Sequence, residues 1–304
     1  MFKQSKSVLL LFLTAIIWGF AFVAQLIGAS YVETFTFNGT RFLIGALSLL
    51  PVIFIFERVE ISRAKMKKTI ISGVVAGVIL FTASTLQQFG VILTGSAGKS
   101  GFITGLYTVL VPLLGIFIKK KTNFNTWLGA VLAVVGLYLL SFSDGISNVG
   151  VGDLVLLIGA VMWAMHIIVI DEFGGEIYSL RFAMTQFIVC AVLSIIGALL
   201  FEDISFAAIL DAKYPILYAG IMSVGVAYTC QILGQKNSDP TFAAIILSTE
   251  SMFSAIGEAI VLGIFLTGFG YKPLSFRAYI GCAIIFCGII VSQLNFKKTK
   301  LSVK

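Results

Sequence analysis

Ten stretches of this chain are long and apolar enough to cross a lipid bilayer, and that fact limits its fold more than any other. They run roughly over residues 8–28, 35–56, 69–90, 96–118, 126–142, 153–171, 179–201, 215–234, 241–265 and 275–295. A membrane-crossing helix needs about 20 such residues, so ten spans use about 200 residues of the chain. No soluble domain fits in what remains. The composition agrees: 59 % of the 304 residues are hydrophobic and 12 % are charged. A soluble domain carries about 25 % charged residues. Inside a bilayer each backbone polar group must be satisfied within its own segment. The expected fold is therefore an all-α polytopic membrane protein. The first run is too long for a secretory signal core and no A-x-A site closes it, so it reads as a retained span.

Charge sets the expected orientation. An even number of spans puts both termini on one side. With that side cytoplasmic, inside loops and tails hold Lys3, Lys6, Arg58, Arg63, Lys65, Lys67, Lys68, Lys119, Lys120, Lys121, Lys236, Lys297, Lys298, Lys300 and Lys304. Outside loops hold Lys213, Lys272 and Arg277. The positive-inside rule favours this arrangement and a cell (inner) membrane location with cytoplasmic termini. Asp171, Glu172 and Glu176 lie inside without a basic neighbour, but acidic residues count for little in that rule. The net charge of +7 thus reflects membrane topology and does not point to nucleic acid.

The chain repeats itself. Ala15-Ile-Ile-Trp18 matches Ala160-Val-Met-Trp163, and Arg41-Phe42-x-x-x-Ala46 matches Gln186-Phe187-x-x-x-Ala191. Thr85-x-Gln87-x-x-Gly90 matches Thr229-x-Gln231-x-x-Gly234, and Gly129 and Gly136 match Gly281 and Gly288 after a longer loop near Gly268–Pro273. The repeats are residues 1–142 and 150–296, five spans each. Five is odd, so the second copy enters from the opposite face. The loops after the second and fourth spans are basic and their counterparts are not, which agrees with inversion. Inverted repeats are the architecture of secondary transporters, with a site near the midplane.

The sequence resembles the drug/metabolite transporter superfamily, EamA type, over nearly its whole length. The likeness rests on Trp18-Gly19 with Phe22, on Arg41-Phe42, on Ala97-Gly98-Lys99-Ser100, on Gly152-Asp153 with Trp163, and on Thr241-Phe242-Ala243-Ala244 running to Leu247-Ser248-Thr249-Glu250-Ser251. Thr108 and Ser251 stand where that family usually has proline, and Lys120 and Ile264 where it usually has an acid. The resemblance implies ten helices in two five-helix repeats and the movement of small metabolites.

Ionisable groups inside a bilayer are costly, so each is a functional candidate. Glu250 falls near the middle of the ninth span. Glu258 lies eight residues on, about 80° round the helix. A buried carboxyl can load and release a proton as a cavity alternates; the other reading is a neutral glutamic acid used in packing. Arg41 and Lys99 fall in the outer half at the depth of Glu258. They read as a gate or an anchor for a solute carboxylate, or else as interface residues. His166 is either a packing residue or a proton relay. Trp18 and Trp163 are repeat mates away from the membrane faces and are candidate walls for a planar solute. Gln87, Gln231, Thr104, Tyr107 and Ser251 complete the candidate substrate-binding set, with Asn38 adding a further polar group. Pro112 is expected to kink the fourth span. Gly98, Gly101 and Gly105 permit close helix approach there. Asp239-Pro240 reads as a cap and first-turn proline.

The four cysteines, Cys190, Cys230, Cys282 and Cys287, sit in apolar runs without zinc spacing, and no metal or cofactor is expected. No Walker motif, H-E-x-x-H or G-x-S-x-G occurs. The expected function is secondary active transport of a small organic solute, amino-acid-like, nucleoside-like or drug-like, by alternating access, with protons a candidate coupling ion and the bilayer as surroundings. A membrane-embedded enzyme or a lipid scramblase would use the same polar residues. Oligomeric state, monomer or dimer, stays open.

Overall fold

The computed structural model describes residues 2–57, 62–118, 123–141, 150–173, 177–236, 238–265 and 275–293. Arg58, the Lys119–Lys121 cluster, Glu176, Lys272, Lys297, Lys298, Lys300, Lys304 and the Gly268–Pro273 loop lie outside the described residues, as do the side chains of Lys3, Ile264 and Cys282.

Among the described residues the chain is helical and has no strand. The first repeat holds α1 (Phe2–Gly28), α2 (Thr34–Phe56), α3 (Arg63–Thr94), a fourth span in two pieces, α4 (Ala97–Gly105) and α5 (Tyr107–Phe117), and α6 (Phe124–Ser141). The second holds α7 (Val151–Phe173), α8 (Ser179–Phe201), the short α9 (Phe206–Asp211), an eighth span and a ninth span, and α14 (Phe276–Gln293). The eighth span joins α10 (Lys213–Leu217), a π-helical segment (Tyr218–Tyr228) and α11 (Thr229–Gln235). The ninth joins α12 (Pro240–Leu247), α13 (Glu250–Ile260) and a π-helical turn (Val261–Phe265). Eight spans are long and apolar enough to cross a membrane, and α6 and α14 supply shorter apolar helices. Each of the ten expected runs holds one span.

Polarity is distributed inside out. Gln25, Asn38, Arg41, Gln88, His166, Gln186, Gln235 and Glu250 are buried, while Phe54, Phe117, Leu199 and Phe276 are exposed. Such a surface suits hydrocarbon, where apolar side chains carry no penalty and ionisable ones turn to the bundle interior.

The packing obeys the internal repeat. α2 packs on α8 and α6 on α14, each pair its own repeat mate, and the contact of α4 with α13 is matched by that of α12 with α5. The contact of α3 with α7 is matched by that of α1 with the eighth span. Because successive spans alternate in direction and each repeat has an odd number, the axis that exchanges the copies lies in the membrane plane. The α6–α14 contact shows this at atomic scale. A Cβ on Gly129 would lie 2.6 Å from the Gly288 carbonyl oxygen, and one on Gly136 would lie 2.5 Å from that of Gly281. The sequence equates Gly129 with Gly281 and Gly136 with Gly288, so the two contacts are exchanged by the repeat. Small residues let helix backbones meet this closely in lipid, where van der Waals packing drives association.

α2 and α8 are tied at both ends. Glu202 ends α8 and accepts from the Phe35 N–H (2.6 Å), the Thr36 N–H (2.7 Å) and the Thr36 hydroxyl (2.8 Å) at the start of α2. Glu57 ends α2 and accepts from the Leu180 N–H (2.9 Å) at the start of α8, with the Arg181 Nε 3.4 Å away. A helix start presents N–H groups without partners and the positive end of a dipole, so a carboxylate from the opposite repeat fits both. Phe56-Glu57 and Phe201-Glu202 are repeat mates that the sequence matching above passes over.

Candidate functional site

The two broken spans meet at the centre. The break in the fourth falls at Leu106, where the N–H bonds to Ile103 three residues back (3.2 Å). It precedes Pro112, and α5 runs through that proline. The ninth span has no proline at its break. There the Ser248 hydroxyl donates to the Ile245 carbonyl (2.8 Å) and the Thr249 hydroxyl to the Ile246 carbonyl (2.7 Å). Ser and Thr side chains that bond back along a helix compete with its ladder. The result is a short 3₁₀ passage, with Thr249 N–H on Ile246 (3.1 Å) and Ser251 N–H on Ser248 (3.2 Å). Asp239 caps α12, accepting from Thr241 (2.9 Å) and Phe242 (3.2 Å), with Pro240 in the first turn as expected. Tyr107 and Glu250 are the first residues after the two breaks, one in each repeat.

Both line a central cavity together with Trp18, Ala21, Phe22, Gln25, Arg41, Gln87, Thr104, Trp163, Ile167, Ser223, Tyr228 and Gln231. Both repeats contribute, and Trp18 with Trp163 and Gln87 with Gln231 are repeat mates. The free space is about 20 Å³ to water centres, room for a water molecule or two. The site is closed around itself in this conformation.

Its walls are aromatic. The Trp18 and Trp163 rings lie 6.1 Å apart, and Tyr228 lies 4.7 Å from Trp18. Trp18 Nε1 donates to the Ser223 carbonyl (3.2 Å), within the π-helical segment. Gln87 donates to the Gln25 side-chain oxygen (3.0 Å). Among the described residues, Arg41 Nε, Thr104 Oγ1, Trp163 Nε1 and both ends of the Gln231 amide have no hydrogen-bond partner. Unpaired buried groups on this scale cost free energy unless something binds them. The Tyr107 hydroxyl lies beside the Glu250 carboxyl group. Glu250 and Arg41 are each 3 % exposed. The Arg41 guanidinium lies over the Phe42 ring (5.0 Å) and the Phe37 ring (5.5 Å).

Several candidates stand elsewhere. α2 turns Arg41 into the cavity, while Lys99, next to the Gly98 that Glu258 holds in the first turn of α4, reaches across to Asp153 of α7 at 2.8 Å. Glu258 accepts from the Gly98 N–H (2.6 Å) and the Ser96 hydroxyl (3.2 Å), closing α13 onto the start of α4. Ser251 donates to the Gly101 carbonyl (2.5 Å) in the same contact. His166 bonds to Gln186 (3.0 Å) behind Trp163 and Tyr228 and does not line the cavity. Gln25, Ser223 and Tyr228 are cavity residues that sequence reasoning missed. Tyr228 could have been found as the neighbour of the repeated Thr229-x-Gln231.

Two five-span repeats closed around a buried polar hollow form the architecture of a membrane transporter. The chain belongs to the EamA-like transporter family, whose sequence profile matches residues 5–142 and 150–294. It is 28 % identical to an uncharacterised transporter of Archaeoglobus fulgidus over 93 % of this chain and 84 % of that one. It is 22 % identical to the transporter YoaV of Bacillus subtilis, covering 94 % and 96 % of the two chains. It is also 22 % identical to the inner membrane transporter YedA of Escherichia coli, covering 94 % and 90 %. A solved crystal structure with 18 % identity shares the fold, with a TM-score of 0.74 over 95 % of this chain and 96 % of its own.

Proposed function

We propose that this protein is a secondary active transporter that carries a small organic solute by alternating access, coupled to protons, in the inner membrane with both termini cytoplasmic. The observation that carries the reading is that Arg41 of the first repeat and Glu250 of the second are buried in one aromatic-walled cavity between the copies. The inner-membrane part rests on YedA and on the basic loops, and the repeat boundaries on the internal matches. The fixed seam is α2 with α8, tied at both ends. The moving parts are α4 and α13, which lie next to breaks in their spans. Mid-helix 3₁₀ passages of this kind mark hinges. On one face Glu258 holds α13 to the start of α4, and Lys99 ties the same turn to Asp153 of α7. At the offset that aligns the two breaks, the partners of Glu258 and Lys99 are Gly115 and Phe242, which carry no polar side chain to repeat those bonds.

Purified protein in sealed liposomes tests this directly. Solutes should accumulate under an inward acid pH gradient, and Glu250→Gln should lose gradient-driven accumulation while remaining folded by circular dichroism. Unchanged accumulation in that variant would remove Glu250 from coupling.

A further inference from the structure

We infer that the solute is an organic carboxylate that crosses together with one proton, the carboxylate on Arg41 and the proton on Glu250. This rests on the transport reading above and names its substrate class and charge balance.

Arg41 is buried to 3 % exposure, yet its guanidinium makes no hydrogen bond or ion pair among the described residues. It lies over the Phe42 and Phe37 ring faces. Lys99 differs, because it is held by Asp153, and Arg181 lies against Glu57. A guanidinium offers a planar fork of donors that fits a carboxylate through two parallel bonds. The cavity therefore holds a buried donor fork of the right shape for a carboxylate.

Glu250 lines the same cavity and does not pair with Arg41. With Glu250 ionised, the two charges cancel and the empty cavity is neutral overall. A carboxylate entering alone would leave one uncompensated negative charge in a water-poor site, which is unfavourable. A carboxylate entering with a proton on Glu250 keeps the site neutral. Each ligand therefore strengthens the other, and the coupling is reciprocal. A cationic amine would meet Arg41 as a like charge, and a neutral amide, with one acceptor oxygen, could not take two parallel bonds from the guanidinium. The other titratable groups around Glu250 are Tyr107 from α5, Tyr228 from the π-helical segment, Cys190 of α8 beside Arg41, and His166 of α7 behind Tyr228, held by Gln186. Glu250 is the one carboxyl group lining the cavity among the described residues, so it takes the proton. Trp18, Trp163 and Tyr228 supply flat apolar walls for the rest of the solute.

The test uses full-length protein in liposomes and a panel of radiolabelled monocarboxylates, each with its matched amide and amine. The carboxylates should enter and their amides and amines should not. Entry should be driven by an inward acid gradient and be indifferent to a membrane potential clamped with valinomycin. Carboxylate affinity, read by tryptophan fluorescence, should weaken by about tenfold per pH unit once Glu250 ionises in the empty protein. Glu250→Gln should make that affinity independent of pH, and Arg41→Gln should abolish binding, with Arg41→Lys intermediate. Preferred uptake of amines or amides, or potential-driven carboxylate uptake, would overturn the inference and leave the transport reading standing. No uptake of any panel member by folded protein would bring down both. If Arg41→Gln does not fold, Glu250→Gln decides: a retained pH dependence overturns the inference.

Discussion

Where α2 meets α8, the helices are unbroken and a carboxylate closes each end of the contact: Glu202 on one face and Glu57 on the other. Where α4 meets α13, both spans are interrupted beside the contact, Gly98 meets Ala255 and Gly101 meets Ser251 and Ser254, and among the described residues the bonds across it are those of Glu258 with Gly98 and Ser96 and of Ser251 with the Gly101 carbonyl. Both seams join the two repeats, the first as a contact that the repeat maps onto itself and the second as one whose counterpart is α5 with α12. The difference lies in what each can do without breaking helix hydrogen bonds. The first seam must lose several charge-assisted bonds to open at either end. The second needs to release Glu258 and the Ser251–Gly101 bond and bend at the breaks, where in the ninth span side-chain hydroxyls already share the backbone carbonyls.

Four substitutions sharpen this contrast. The largest effect is expected from Gly101→Leu, because even a Cβ there would crowd the Ser254 hydroxyl. Overpacking costs about 1–3 kcal/mol, and here it should also wedge α4 from α13 and abolish uptake, as read by thermal melting and liposome transport. Glu202→Ala comes next. It removes three hydrogen bonds from the start of α2 and should cost about 1–3 kcal/mol of stability, with uptake per folded molecule unchanged. Glu258→Gln should shift melting little. It should raise severalfold the rate at which a membrane-impermeant maleimide labels a Thr104→Cys variant from the Glu258 face. Glu57→Gln is the mildest. The amide oxygen can still accept from the Leu180 N–H, and loss of the Arg181 pair should cost about 0–1 kcal/mol.

The fold was largely legible because a bilayer makes it so. Apolar runs of fixed length mark spans, basic clusters mark loops, and the Trp18/Trp163 and Gln87/Gln231 matches reveal the duplication. The cavity was legible in part. Trp18, Arg41, Gln87, Thr104, Tyr107, Trp163, Gln231 and Glu250 all line it, as the expectation that intramembrane polar residues face inward requires. The rest depended on tertiary packing. Depth along a span says how far a residue lies from a face but not which way it turns. Arg41 and Glu258 therefore read as neighbours, though one lines the cavity and the other caps α4. The broken ninth span was hidden for a related reason: Ser248 and Thr249 look like ordinary span residues until their hydroxyls are seen on the carbonyls of Ile245 and Ile246.

The most direct test of a fixed seam beside a moving one is a pair of matched cross-links, made after replacing the four native cysteines. A Cβ on Gly98 would lie 3.6 Å from the Ala255 Cβ, and a Cβ on Gly39 would lie 3.6 Å from that of Ser194, both suitable for a disulfide. Oxidising the Gly98→Cys/Ala255→Cys protein should stop uptake and reduction should restore it, while oxidising Gly39→Cys/Ser194→Cys should leave uptake intact. Transport that survives the first bond, or stops with the second, would contradict this assignment of the moving seam.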